Sequence, residues 1–159
     1  MMQDALETGG VSRRMMMISL GGGAVVTAAM TVAPGLSLAS EAEVQAIIDQ
    51  MAEAAPAESG VELDLPEIAE NGNTVPVTVT IDAPMTADAY VKTVMVMADG
   101  NPQPEVARFH FTPDSGTASA STRMRLVGTQ NIVAVAQMND GNTMVGRKLV
   151  KVTIGGCGG

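Results

Sequence analysis

The sequence predicts a mainly β protein: an immunoglobulin-like antiparallel β-sandwich with one N-terminal helix and a flexible Gly-Gly-Cys-Gly-Gly arm at its C-terminus. Three observations predict it. Short segments rich in Val, Ile and Thr alternate from Val61 onward, separated by Asn-Gly, Ser-Gly and Asp-Gly turn signals. One helical stripe, and no other, precedes them. The last five residues, Gly155 to Gly159, hold four glycines around Cys157, with no apolar side chain to pack. A sandwich of about seven strands fits one domain of the 159 residues. The Cys-Trp-Cys pattern of true immunoglobulin domains is absent, since the chain has one Cys and no Trp.

The N-terminal segment, residues 1–39, reads as an export signal. Arg13 and Arg14 precede a Gly/Ala-rich, modestly apolar run, the pattern of a bacterial twin-arginine signal. That pattern commonly continues with Phe and Leu, where this chain has Met16 and Met17. Ser37-Leu38-Ala39 supplies small residues for cleavage before Ser40. The competing reading is a membrane anchor, but glycines, hydroxyl residues and Pro34 make a poor spanning helix. Export by this route places the mature chain in the periplasm, away from the membrane.

Residues 40–154 form the predicted domain. Glu41 to Ala54 is a helix, because Val44, Ile47, Ile48 and Met51 fall at i, i+3, i+4 and i+7. Ser40 and Glu43 have the spacing of a capping box, and Pro56 closes the segment. Seven strands follow, in "VELDL", "TVPVTVTID", "YVKTVMVMA", "EVARFHFT", "TASASTRMRL", "NIVAVAQM" and "RKLVKVTI". In the fourth, Phe109 and Phe111 point one way and Arg108 and His110 the other. The apolar runs Val94–Ala98 and Ile132–Ala136, with the open edges of a sandwich, suggest a chain that needs a partner.

Composition excludes several functions. The chain carries 17 acidic and 9 basic side chains, a net charge of −8. The signal holds two of each sign, so the mature chain keeps that charge and has no basic cluster for nucleic acid. Its one His and one Cys cannot build a metal cluster or a Ser-His-Asp site, and no Gly-x-Ser-x-Gly elbow exists. His110 reads as an ordinary outward strand residue. No metal or cofactor is expected; the fifteen acidic side chains of residues 40–159 read as a solvated surface, and their number leaves paired-carboxylate acid–base chemistry open.

Cys157 remains. A lone thiol in an exported protein is either paired with another chain or used chemically. Prenylation does not fit, because Cys157 is third from the end. Gly155, Gly156, Gly158 and Gly159 read as a thin tether outside the last strand, whose substitution removes no core packing. Three residues beyond Ile154 allow the Cα of Cys157 to extend at most about 10 Å. The nearby terminal carboxylate disfavours a second negative charge, and no helix N-terminus is at hand to activate the thiol. Cys157 is a weak nucleophile by itself, suited to carry a group rather than to catalyse.

From "VTIGGCGG" the chain resembles the SoxY family, the sulfur-carrying subunits of the bacterial thiosulfate-oxidising Sox system. The segments Leu63–Thr86, Asn101–Pro113, Thr122–Leu126 and Val133–Gly141 share that resemblance. It implies a non-enzymatic carrier with Cys157 as the covalent attachment site for sulfur intermediates. It also implies a heterodimer with SoxZ and transient visits by SoxXA, SoxB and the sulfur dehydrogenase SoxCD. Two other readings stand beside it. One is a ubiquitin-like carrier using a thiocarboxylate at Gly159, which the export signal opposes. The other is a non-catalytic periplasmic binding sandwich with an incidental tail.

Overall fold

The computed structural model describes residues 41–156. The Arg13-Arg14 signal, its cleavage site and Ser40 lie outside them, as do Cys157, Gly158 and Gly159. Within them stand one α-helix, α1 (Glu41–Met51), one short 3-10 turn at Pro113–Ser115, and eight strands. The strands are β1 (Val61–Asp64), β2 (Ile68–Asn71), β3 (Val75–Ile81), β4 (Val91–Ala98), β5 (Glu105–His110), β6 (Ala118–Met124), β7 (Gln130–Met138) and β8 (Thr143–Ile154).

They form two sheets, one of three strands in the order β1-β3-β6 and one of five in the order β2-β8-β7-β4-β5. The mainly β sandwich expected from the alternation is present. Every pairing is antiparallel except β2 with β8, which is parallel, Ile68 opposite Lys151 and Asn71 opposite Ile154. The expected count of seven strands missed β2. "IAEN" is four residues long and buries only Ala69, so it offers no alternation to detect. Strand β8 also starts four residues before the expected Arg147, because its ladder with β7 runs on to Thr143 opposite Gln137.

The core lies between the sheets. Val75, Val77, Val79 and Ile81 of β3 meet Val94, Val96, Ile132, Ala134 and Val150 of the larger sheet, all buried. Phe109 and Phe111 pack against this cluster, while His110 faces the other side and pairs with Thr93 (Oγ1 to Nδ1, 3.2 Å), as the alternation of that strand predicts.

The helix covers the outer face of the five-stranded sheet. Val44 and Ile48 pack on Met95, Met97, Val133, Val135 and Val145. Strands β4 and β7 are thus buried on both faces, which is why they read as continuous apolar runs rather than alternating ones. These runs are internal, so they do not supply the exposed surface from which a partner was inferred. The helix ends at Met51, not at Ala54: the Met51 carbonyl accepts a hydrogen bond from Gln137 Nε2 (2.8 Å), which satisfies a terminal carbonyl from outside the helix. No helix among the described residues is long and apolar enough to cross a membrane.

Candidate functional site

The last described residues do not leave the sandwich as a loose tether. Strand β8 runs parallel to β2, so Ile154 arrives beside the turn that follows Asn71. Gly72 donates its N–H to the Ile154 carbonyl (2.7 Å). The Gly72 carbonyl accepts the N–H of Leu126 (2.8 Å), and the Leu126 carbonyl accepts the N–H of Gly156 (2.8 Å). Two residues before the strand ends, Val152 donates its N–H to Thr129 Oγ1 (3.0 Å). The β2–β3 turn holds the chain from one side and the loop after β6 holds it from the other.

The backbones approach too closely here for side chains. An added Cβ on Gly155 would lie 2.1 Å from the Val127 carbonyl oxygen, and one on Gly156 would lie 2.8 Å from that of Gly72. A Cβ on Gly72 would meet the Leu126 oxygen at 2.2 Å. The expectation that Gly155 and Gly156 belong to a free arm is therefore corrected. Gly156 is buried and hydrogen-bonded, and both glycines are required by packing against backbone. A composition of glycine is the same whether a segment must move or must fit, so the sequence did not separate the two.

The loop that receives Gly156 is itself braced from beneath. Asn101, from the turn after β4, donates Nδ2 to the Arg125 carbonyl (2.9 Å) and accepts the Val127 N–H at Oδ1 (3.2 Å). Gln130 donates Nε2 to Asn101 Oδ1 (3.0 Å) and to the Gly128 carbonyl (3.1 Å), and its Oε1 accepts the Gly100 N–H (2.8 Å). Sequence reasoning marked the Asp99-Gly100-Asn101-Pro102 segment only as a turn. The usable signal was Gln130 at the head of a strand whose centre, Ile132–Ala136, is wholly apolar.

The β2–β8 edge that leads to the exit mixes apolar side chains with charges of both signs, Glu67 and Glu70 beside Lys148 and Lys151. The exposed large hydrophobic side chains of the described residues, Ile68, Leu149 and Ile154, all lie on β2 and β8. Lys151 stands opposite Ile68. Elsewhere the charges are ordinary surface groups. Glu105 pairs with Arg108 at 2.7 Å, and its carboxylate raises the guanidinium above its usual value by hydrogen bond and charge. Among the described residues no three His, Cys, Asp or Glu side chains gather to hold a metal ion.

The family model for sulfur oxidation protein SoxY matches residues 45–157, from the middle of α1 to Cys157 itself. The chain belongs to the SoxY family. The solved sulfur carrier protein SoxY from Chlorobium limicola f thiosulfatophilum is 32% identical, covering 72% of this chain and 100% of its own, with a TM-score of 0.60. A superoxide reductase (neelaredoxin) from Ignicoccus hospitalis is 16% identical, covering 72% of this chain and 94% of its own, at a TM-score of 0.53. A putative superoxide reductase from Thermotoga maritima is 20% identical, covering 60% of this chain and 86% of its own, at 0.50. These last two share the fold alone. A comparison with curated protein sequences gives no match. The SoxY match covers both jaws of the clamp, the Gly155–Gly156 pair and the cysteine they precede.

Proposed function

We propose that this chain is a covalent sulfur carrier in periplasmic thiosulfate oxidation, with Cys157 as the attachment site. The observation that carries the reading is the SoxY match that runs through to Cys157, the chain's one thiol. The SoxY from Chlorobium limicola, matched over its whole length, is described as a sulfur carrier protein.

The chemistry follows from a thiol that its own chain does not activate. Cys157 thiolate and thiosulfate couple to a Cys–S–S–sulfonate, releasing two electrons to the haem protein SoxXA. Water then cleaves the sulfonate under SoxB, giving sulfate, two protons and a persulfide on Cys157. A sulfur dehydrogenase, SoxCD, then takes the outer persulfide sulfur to a sulfonate with oxygen from three waters, releasing six protons and passing six electrons to an electron acceptor of that enzyme. The carrier itself takes no catalytic part and needs no cofactor; its cargo stays covalent while the enzymes change. SoxZ is the stable partner in this reading, and the exposed Ile68 and Leu149, on the same outward face of β2 and β8, supply apolar area for such contacts. Export is by the Arg13-Arg14 signal.

The intact mass of the native mature protein, taken before and after a reductant, tests the reading. A sulfur-containing adduct on the Cys157 peptide, removed by reductant and absent from Cys157→Ser, is expected. Thiosulfate oxidation that persists in Cys157→Ser overturns it.

A further inference from the structure

Four polar side chains are buried among the described residues, and two of them, Asn101 (2% exposed) and Gln130 (4%), face each other. Neither has a part in the sulfur chemistry above. Burying two amides is costly unless each is hydrogen-bonded, and apolar residues of the same shape would fill the space without that requirement. These amides are satisfied almost entirely by one loop: they bond Arg125 O, Val127 N–H and Gly128 O, with Gly100 N–H and each other completing the set.

The residue between the two that Asn101 grips is Leu126. Its N–H and its carbonyl are the groups that meet Gly72 and Gly156. Asn101 is thereby linked to the chain one residue before Cys157 through its bonds to Arg125 and Val127, the backbone of Leu126 between them, and the bond from Gly156 to Leu126. We propose that Asn101 and Gln130 are positioning residues for the carrier thiol: they fix the 125–129 loop, and through Leu126 they fix where the chain leaves the sandwich. The inference rests on the carrier reading of Cys157. A processing enzyme that accepts the thiol in a narrow site depends on that exit point, because Cys157 is the residue directly after Gly156.

Asn101→Leu in the full mature chain, bound to its partner subunit, tests this. The substitution keeps the shape and deletes the bonds to Arg125 O, Val127 N–H and Gln130. Residue-resolved hydrogen exchange of the Gly156 amide is expected to quicken at least about tenfold, as the loss of a braced hydrogen bond allows. kcat/KM with the enzyme that couples thiosulfate to Cys157 should fall by a similar factor. Labelling of Cys157 by a small thiol reagent should stay within about twofold, since that reagent needs no exit point. Val79→Ala, a core truncation away from the loop, should lower Tm and leave both Gly156 exchange and kcat/KM near the unmodified values.

Should Asn101→Leu fail to fold, Thr129→Val serves. Thr129 is exposed, and the change removes only the acceptor of the Val152 N–H on the same loop; the same split is expected, at about threefold. A Gly156 amide that exchanges freely in the unmodified chain overturns the proposal. So does quickened exchange with kcat/KM intact, or a kcat/KM loss no greater than that of Val79→Ala. Sulfur carriage by Cys157→Ser, measured separately, is the result that overturns the carrier reading, so the two failures are distinguishable.

Discussion

Gly156 donates its backbone N–H to the carbonyl of Leu126 at 2.8 Å, one residue before Cys157. This bond moves the start of the arm. Counted from Ile154, the Cα of Cys157 could swing out by about 10 Å; counted from an anchored Gly156, it lies about 3.8 Å away. An enzyme that takes up the thiol must therefore seat close to the exit, or the clamp must open to release Gly155 and Gly156. Ile154 is exposed at the exit itself, beside Asn71.

Export is expected to depend on the arginine pair. Arg13→Lys with Arg14→Lys should retain the chain in the cytoplasm as precursor, while the unmodified protein is recovered from the periplasm beginning near Ser40. N-terminal sequencing checks both forms. A soluble periplasmic form that still carries residues 15–35 contradicts the signal reading.

The helix should contribute strongly to stability although it touches the sandwich on one face only. Ile48 is 1% exposed and sits over Met95, Met97, Val133 and Val135. Ile48→Ala is expected to cost about 2–5 kcal/mol, the range for emptying a buried aliphatic site. Urea unfolding measures it. A loss below about 0.5 kcal/mol would mean that α1 does not pack on the sheet as described.

The hydroxyl pairs on the outer face of the smaller sheet should matter little to folding. Thr78 Oγ1 and Ser121 Oγ lie 2.8 Å apart, and Thr80 and Ser119 repeat the pair at 2.9 Å. Both pairs are exposed, so water replaces what substitution removes. Thr78→Val with Ser121→Ala should stay within about 0.5 kcal/mol of the unmodified chain in thermal or urea unfolding. A larger loss would show that this face is covered by something in the folded assembly.

Most of the sandwich was legible because alternation is a direct consequence of a sheet with one buried face. Val75, Val77, Val79 and Ile81 announce β3 and its inner side, and all four are buried. Strand β2 was not legible, because its pairing is parallel, nonlocal and carried by backbone bonds, with Ile68 left exposed. Of the proposed carrier site, the sequence singles out one residue, Cys157, and only through its isolation and the resemblance of its surroundings. Its supports were not. Asn101 and Gln130 are 29 residues apart and meet only when β4 and β7 pair. Gly72 is 84 residues from Gly156, and their approach depends on the strand that the sequence concealed.

The glycines next to the thiol supply the sharpest contrast between a tether and a fitted joint. A tether predicts that Gly155→Ala and Gly156→Ala leave unfolding unchanged. The joint predicts the opposite, because the added Cβ atoms would meet backbone oxygens at 2.1 Å and 2.8 Å, and backbone cannot rotate away as a side chain can. Each substitution is expected to cost about 1–3 kcal/mol or to expel residues 155–156 from the clamp. Urea unfolding reads the first outcome and faster exchange of the Gly156 amide reads the second. Gly128→Ala is the control: it lies in the same loop, an added Cβ there has nothing within 4 Å, and its φ is not in the left-handed range. It should be neutral or stabilise slightly, by restricting the unfolded chain. The direction of the effect on turnover then follows from which outcome occurs. Strain with the clamp closed keeps the exit point and should leave kcat/KM nearly unchanged. Expulsion lengthens the arm but loses its fixed start, and kcat/KM should fall while small-reagent labelling of Cys157 does not. If all three variants unfold and exchange alike, Gly155 and Gly156 are not held by Val127 and Gly72, and the joint does not exist.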